Sequence, residues 1–179
     1  GLLLDLRPFA EADPNFDFND FYPGMLAPFD RDGRQLGLPT MAKFTLIFFQ
    51  KDAFDAAGVP YPEAGWSWDD MLTAAQATTI REEDEVVQWG LVQTSNNPFE
   101  FVLPRTGALI DTSTNPPTVD FERPEVIAAL QWYADLHLLH EVAPILEMPR
   151  VNEDGNFISP GYEIIKNKRA AMWSEWSGT

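Results

Sequence analysis

The sequence contains no cysteine and few basic residues. Among its 179 residues, 12 Lys and Arg stand against 28 Asp and Glu, a formal net charge of −16. The absence of cysteine excludes disulfides, thiolate zinc sites and a cysteine nucleophile. The charge excludes nucleic acid as a partner, because a nucleic-acid-binding protein must neutralise phosphates and no Lys/Arg-rich stripe offsets the acids.

Motifs for several other functions are also missing. No apolar run approaches the ~18 residues of a membrane-spanning helix, and neither G-x-x-x-x-G-K-[ST] nor G-x-G-x-x-G occurs, which leaves nucleotide binding without support. The only histidines are His137 and His140, followed by Glu141. They share one predicted helix with no second element to complete a tetrahedral metal site, so the favoured interpretation is that His137 packs and His140 lies at the negative helix end. We predict no metal, no cofactor and no catalytic residue.

The ends of the sequence indicate an internal fragment. The chain begins at Gly1 rather than Met, and it stops at Thr179 directly after an apolar-aromatic run. The lack of a visible signal peptide is therefore uninformative.

Hydrophobic patterning predicts alternating strands and helices. The continuous run from Phe44 to Gln50 is typical of a strand buried on both faces. Residues 88–94 and 170–173 are predicted as further strands, whereas apolar spacings of three and four predict a helix over 17–29. This alternation favours an α/β fold with helices on a mainly parallel sheet.

Local signals predict several helix boundaries. Gly58 suits the left-handed position that closes a helix over 51–57. Ser67 and Asp70 form a predicted capping box that opens a helix running to about residue 79. Pro124 is suited to the first position of a helix that continues to residue 140.

Aromatic residues make up 13% of the chain and include six tryptophans. Sugars present apolar C–H faces that stack on aromatic rings, with hydroxyls at the edges for polar side chains. The candidates are Trp66, Trp68, Trp89, Trp132, Trp173 and Trp176. Of these, Trp68 at a helix start and Trp132 inside a helix are predicted to pack.

A glycoside hydrolase needs two suitably spaced carboxylates. The 28 acidic residues contain no pair that stands out, and the run Glu82–Glu85 is typical of a solvated surface.

Several segments, in order, match the motifs of one family. The family motifs are G-x-L-x-D-L-T-P-Y, D-G-K-x-Y-G-L-P, L-x-Y-N-K-D-x-F-x-x-A-G, T-W-D-E-L and G-K-A-A-M, and the matching segments are Gly1–Phe9, Asp32–Pro39, Thr45–Val59, Trp66–Met71 and Asn167–Met172. On these residues the sequence resembles the family 1 extracellular solute-binding proteins of ABC sugar importers, the group that includes maltose-binding protein.

The resemblance implies an α/β fold of the periplasmic-binding-protein-like type II, with two lobes and a hinge, incomplete here at both ends. Residues 1–42 are then part of lobe one, and residues 43–179 are most of lobe two. The implied function is to bind a mono- or oligosaccharide in the inter-lobe cleft and deliver it to ABC transporter permease subunits, without enzymatic turnover. The implied location is periplasmic or extracellular, and a lipid anchor on an upstream N-terminus is compatible with it.

The resemblance also implies ligand contacts. Lys43 falls where the family has a hinge-region carboxylate, so that contact does not carry over as it stands. Phe99 matches the aromatic before the second-lobe helix. The expected ligand-binding residues are Lys43, Asn96, Phe99, Trp173, Glu175 and Trp176.

Two alternatives remain open. One keeps the binding fold and changes the ligand to a polyamine, an amino acid, a phosphate ester or a metal. The other is a glycoside hydrolase that uses two carboxylates. Turnover discriminates between them, because a binding protein leaves its ligand intact.

Overall fold

The computed structural model describes residues 2–22, 24–95, 97–111 and 113–177. The chain forms two compact units, Gly1–Lys43 and Phe44–Thr179. The division follows Lys43, one residue after the lobe boundary that the family resemblance implies. The assignment of these segments to two lobes stays a prediction.

The first unit has short elements. They are helix α1 (Arg7–Ala12), two 3-10 helices (Phe18–Asp20 and Ala27–Phe29), and strands β1 (Asp30–Arg31) and β2 (Arg34–Gln35). The two strands pair antiparallel. Asp32 and Gly33 join them with φ angles of 54° and 77°, the conformation that a two-residue hairpin turn requires.

The helix predicted over 17–29 is wrong. Among the described residues of this range, two single 3-10 turns form instead of a helix, and the Asp17 side chain caps the first by accepting a hydrogen bond from the Asn19 amide. Gly24 has a φ of 86°, which a right-handed helix cannot accommodate. The aromatic spacing therefore belongs to separate turns.

The second unit carries the main sheet and most of the helices. Its elements are β3 (Thr45–Phe49), α2 (Lys51–Ala57), α3 (Trp68–Thr78), β4 (Ile80–Glu82), β5 (Glu85–Gln93), α4 (Phe99–Thr106), β6 (Ile110–Asp111), β7 (Thr118–Val119), α5 (Pro124–Leu138), β8 (Arg150–Val151), β9 (Phe157–Ile158), α6 (Pro160–Lys166) and β10 (Ala170–Trp176). The mixed α/β character predicted from the sequence is confirmed.

The sheet is mixed rather than mainly parallel. Its order is β3-β10-β5-β4, and only β10 and β5 run parallel, since the β3–β10 and β4–β5 pairs are antiparallel. The prediction of a largely parallel sheet is wrong because β4 and β5 form a hairpin and the last strand inserts beside the first. The exposed acidic run Glu82–Glu85 spans the tip of that hairpin, as a solvated segment should.

Strand β3 is an edge strand and is not buried on both faces as predicted. Ile47 and Phe49 pack against the core, whereas Leu46 and Phe48 remain 44% and 39% exposed. On that second face Phe48 stacks on Trp173, with ring centroids 5.8 Å apart. The apolar run alone does not distinguish an edge strand from a central one.

The core is formed where the helices meet the sheet. Its main cluster consists of Phe54, Met71, Ala74, Ala75, Leu91, Phe101, Leu136, Val142, Ala143 and Met172. Trp68 and Trp132 pack against it in a T-shaped pair with centroids 4.3 Å apart, which confirms their predicted packing. A smaller cluster between α4 and α5 contains Val102, Val126 and Ala129.

The predicted starts of α3 and α5 and the predicted end of α2 are confirmed, whereas α5 ends at Leu138 rather than at residue 140. Gly58 closes α2 with a φ of 66°, and Ser67 and Asp70 form both bonds of the capping box. Pro124 is the first residue of α5. Among the described residues, none of the helices has the length and apolar character needed to cross a membrane.

Candidate functional site

The candidate site lies at the carboxyl ends of β5 and β10, the parallel pair of the sheet. Gln93 and Ser174 are register partners there, and the Thr94 hydroxyl donates to the Ser174 carbonyl at 3.0 Å. Open α/β sheets bind ligands beyond the carboxyl ends of parallel strands, because the loops that follow such strands meet at one edge.

Glu100 is the centre of a polar network at this edge. It is the second residue of α4, where a negative charge is favoured by the helix dipole. Its Oε1 accepts from the Ser95 hydroxyl at 2.5 Å and from the Trp176 indole Nε1 at 3.0 Å. Its Oε2 accepts from the Gln93 Nε2 at 3.2 Å and from the Ser174 hydroxyl at 3.4 Å. Both oxygens are thus held by protein donors.

Gln93 connects Glu100 to helix α5. Its Oε1 accepts from the Tyr133 hydroxyl at 2.5 Å, and its Nε2 also donates to the Asn97 carbonyl at 2.6 Å. Burial, and to a lesser extent the negative charge of Glu100, raise the pKa of Tyr133. The Tyr133 hydroxyl therefore remains a hydrogen-bond donor at neutral pH.

Trp176 is the exposed aromatic of the network. Its indole N–H is bonded to Glu100, and the residue is 41% exposed. The indole N–H fixes the ring edge, so an apolar ligand face can stack on the ring surface.

An open pocket of about 320 Å³ lies next to Glu100. Its lining residues are Thr45, Ile47, Trp66, Ser67, Trp68, Met71, Glu100, Phe101 and Pro104. Thr45 is the register partner of Trp176, so the pocket begins beside that residue. Most of the wall is aromatic or aliphatic, and Glu100 is its only charged residue among those the structure describes.

Comparison with known proteins identifies the fold. An ABC substrate-binding protein from Listeria monocytogenes, solved in complex with cycloalternan, matches with a TM-score of 0.73 and 26% identity, over 98% of this chain and 43% of that chain. The chain has the fold of the ABC-transporter solute-binding proteins. The resemblance that the sequence motifs indicated is confirmed.

Two further solute-binding proteins have the same fold. The sugar-binding protein MalE from Xanthomonas citri matches with a TM-score of 0.71 and 20% identity, over 97% of this chain and 41% of that chain. UgpB from Mycobacterium tuberculosis, in complex with glycerophosphocholine, matches with a TM-score of 0.68 and 18% identity, over 98% and 42%. This chain therefore spans less than half the length of these proteins. Its sequence matches no protein-family model and no curated protein.

The structure places the predicted ligand contacts of this solute-binding fold in different surroundings. Trp176 joins the Glu100 network, whereas Trp173 stacks on Phe48 on the opposite side of β10. Phe99 packs with Phe121, at 6.3 Å between centroids, against the smaller core cluster.

The remaining predicted contacts are polar. Glu175 is only 9% exposed; its Oε1 accepts from the Trp176 amide, and its Oε2 has no hydrogen-bond partner among the described residues. Lys43 belongs to the first unit, and Asn96 lies outside the described residues. That these residues contact the ligand stays a prediction.

The histidines form no metal site with other residues in the described part of the chain. His137 is half-buried, its ring contacts that of Tyr133, and its Nδ1 lies 3.1 Å from the Pro144 carbonyl oxygen. Burial lowers the pKa of His137, although hydrogen bonds to the Pro144 and Ala143 carbonyls oppose the shift. The predicted packing of His137 is confirmed. His140 lies just beyond the C-terminal end of α5, and its Nδ1 is 3.3 Å from the Gln76 Nε2.

Sequence reasoning missed the polar network around Glu100. Gln93 and Ser95 look like ordinary strand-end polar residues, and Glu100 looks like an acid stabilised by a helix N-terminus. Tyr133 looks like one member of an apolar helix stripe. None of these local patterns contains a signal for a contact between Glu100 and a residue 76 positions away.

Proposed function

We propose that this chain is part of an extracytoplasmic solute-binding protein that captures a sugar or polyol and releases it unchanged to an ABC permease. The observation that carries the proposal is Trp176, a residue that is 41% exposed and whose indole N–H donates to Glu100 beside an aromatic pocket. The similar folds of sugar-binding transport proteins support it. A periplasmic or extracellular location belongs to the same proposal.

The chemistry of the site suits a sugar. A pyranose face that stacks on one indole buries about 50 Å², worth about 1 kcal/mol at ~25 cal/mol per Å². The aromatic pocket provides further apolar surface, and hydrogen bonds to ligand hydroxyls supply the specificity. Capture would then proceed by hinge closure of two lobes around the ligand, as in other binding proteins of this architecture.

The second candidate ligand is a cationic solute. Glu100 is the only charged residue lining the pocket among those described, and no Lys or Arg is available there to neutralise a phosphate ester. Protein groups donate all of the hydrogen bonds described above to Glu100. A bound cation would therefore be attracted by the negative charge of the carboxylate and would not need to donate a hydrogen bond to it.

The test is a tryptophan-fluorescence titration with mono- and oligosaccharides, polyols and polyamines, on the complete protein that contains this segment. We expect saturable binding of one sugar or polyol class, and chromatography should recover the ligand intact. Consumption of the ligand would instead indicate a hydrolase. A response to polyamines alone would show that the ligand is a cationic solute and would contradict the sugar or polyol proposal.

Trp176→Ala provides the site-specific measurement. We expect its affinity to fall about fivefold, the equivalent of the ~1 kcal/mol of stacking. Trp173→Ala is the matched control, because that ring stacks on Phe48 rather than joining Glu100. Unchanged affinity in Trp176→Ala would remove Trp176 from the site, and a loss in Trp173→Ala alone would move the site to the other face of β10.

A further inference from the structure

A second pocket is lined by helix α5, by residues 144–146 and by the end of β5. Its volume is about 370 Å³, at the lower end of the roughly 300–1,000 Å³ that small-molecule sites occupy. None of its lining residues lines the pocket beside Glu100. The two pockets are therefore separate, and we call this one the α5 pocket.

The walls of the α5 pocket are mostly apolar. Ala134 and Leu138 of α5 line it together with Pro144 and Ile145. Leu138 and Ile145 are 70% and 75% exposed, so a ligand would remove apolar surface from water. No Asp, Glu, Lys or Arg is among the described residues that line the pocket. Such walls favour a neutral ligand, because a charged one would lose hydration without gaining a partner.

The polar donors at the inner wall are already engaged within the protein. The Tyr133 hydroxyl donates to the Gln93 Oε1, and the Gln93 Nε2 donates to the Asn97 carbonyl and to Glu100. These side chains therefore have no donor to spare for a ligand. A ligand that forms a hydrogen bond in this pocket must itself bring the donor.

His137 supplies an acceptor for that donor. Its Nδ1 lies 3.1 Å from the Pro144 carbonyl oxygen, and since a carbonyl only accepts, Nδ1 carries the proton. Burial lowers the pKa of His137, so the imidazole is neutral at neutral pH and its Nε2 has an acceptor lone pair. The edge-to-face contact with the Tyr133 ring, 5.0 Å between centroids, also restricts the ring plane. The acceptor is thus oriented before any ligand binds.

We propose that the α5 pocket is a second binding site, for a small neutral ligand of the phenol class, with an apolar ring and one hydroxyl. The ring packs against Leu138, Pro144 and Ile145, and the hydroxyl donates to the Nε2 of His137. This site is independent of the function proposed above, because its lining residues are not those expected to contact the sugar.

The test is a titration with phenol near neutral pH, on the complete, sugar-free protein that contains this segment. NMR follows the imidazole nitrogens of His137, and we expect a saturable shift that is larger at Nε2 than at Nδ1. Anisole has the same ring but no donor, and it should bind about three- to tenfold more weakly, the contribution of one hydrogen bond. Equal affinities for phenol and anisole overturn the proposal, as does a phenol response confined to tryptophan indole signals.

Two variants separate the packing from the hydrogen bond. Ala134→Leu fills part of the pocket and should weaken phenol binding at least about tenfold. His137→Phe keeps an aromatic ring but removes the acceptor, so phenol and anisole should then bind equally. His140→Phe is the matched control, because His140 lies beyond the end of α5 and is not among the residues that line the pocket.

The outcomes of these variants are decisive. Unchanged phenol affinity in Ala134→Leu overturns the location of the site, and a retained preference for phenol over anisole in His137→Phe overturns the role of the imidazole. The His140→Phe variant should keep that preference. The comparison of the two ligands on the native protein requires no substitution, so it decides the proposal even where a variant fails to fold.

Discussion

At Gly90, strand β5 and helix α3 approach so closely that no side chain fits between them. A Cβ atom at this position would lie 2.0 Å from the Ala75 carbonyl oxygen, and that oxygen belongs to helix backbone that cannot rotate away. The requirement is steric, in contrast to Gly24 or Gly58, where a positive φ is what favours glycine.

Gly90→Ala should therefore destabilise the second unit. The helix or strand must shift to admit the methyl group, and overpacking of this kind costs about 1–3 kcal/mol. Urea unfolding monitored by tryptophan fluorescence measures the loss as a lower midpoint with an unchanged slope. A midpoint equal to that of the native chain would contradict the close approach.

Trp176 and Trp173 lie three residues apart in β10 but have different surroundings. Composition identifies both as candidate sugar-stacking residues, but their separation by three positions in a strand puts their side chains on opposite faces. Only the paired neighbours, Glu100 for one and Phe48 for the other, assign them to different surroundings.

At the scale of elements, short-range signals are the reliable ones. The capping box at Ser67, the C-terminal glycine at Gly58 and the proline that begins α5 each involve groups within a few residues of one another. Periodicity failed where no such signal supported it, as in the helix predicted over 17–29. It also failed for the burial of β3, since burial depends on a partner from elsewhere in the chain.

Helix α5 carries a pH-dependent contribution to stability. Because burial lowers the pKa of His137 from 6.5, the unfolded chain binds a proton at a pH where the folded chain does not. The free energy of unfolding should therefore decrease as the pH falls below about 6.5. Urea unfolding measured between pH 7.5 and ~5 tests this prediction.

Replacing each histidine separately assigns the effect. His137→Asn should flatten the decrease over that pH range. His140→Asn, three residues further along the chain and beyond the end of α5, should retain it. Equal slopes in the native chain and in His137→Asn would exclude His137 as the source.

At the scale of the whole molecule, the hydrophobic core is contributed almost entirely by one of the two units. Both hydrophobic clusters and all strands of the main sheet belong to residues 44–179. The first unit contributes only Ala10 and Gln35 to the buried residues that the structure describes. A segment of that size with so little buried surface rarely folds alone.

Residues 44–179 produced by themselves should fold cooperatively. We expect a near-ultraviolet circular dichroism spectrum with sharp aromatic bands and a single urea transition. Residues 1–43 alone should show neither. A spectrum without aromatic bands for 44–179, given bands in the full chain, would show that the second unit needs the first.

The sequence by itself determined the class of the protein and its local geometry. Ordered motifs indicated the solute-binding fold, the acidic charge predicted that nucleic acid is not a partner, and caps and turns predicted most helix boundaries in the second unit. Each of these signals depends on composition or on residues that are close together in the chain. Each can therefore be interpreted without knowledge of the tertiary structure.

Tertiary structure alone decided the sheet order and the site. The insertion of β10 between β3 and β5 makes the sheet mixed, and it brings Trp176 to Glu100 across 76 residues of chain. The physical reason is that backbone hydrogen bonds between strands are the same for almost every residue type, so they do not specify which strands pair. The choice among possible pairings rests on how all the helices and strands bury their apolar faces together.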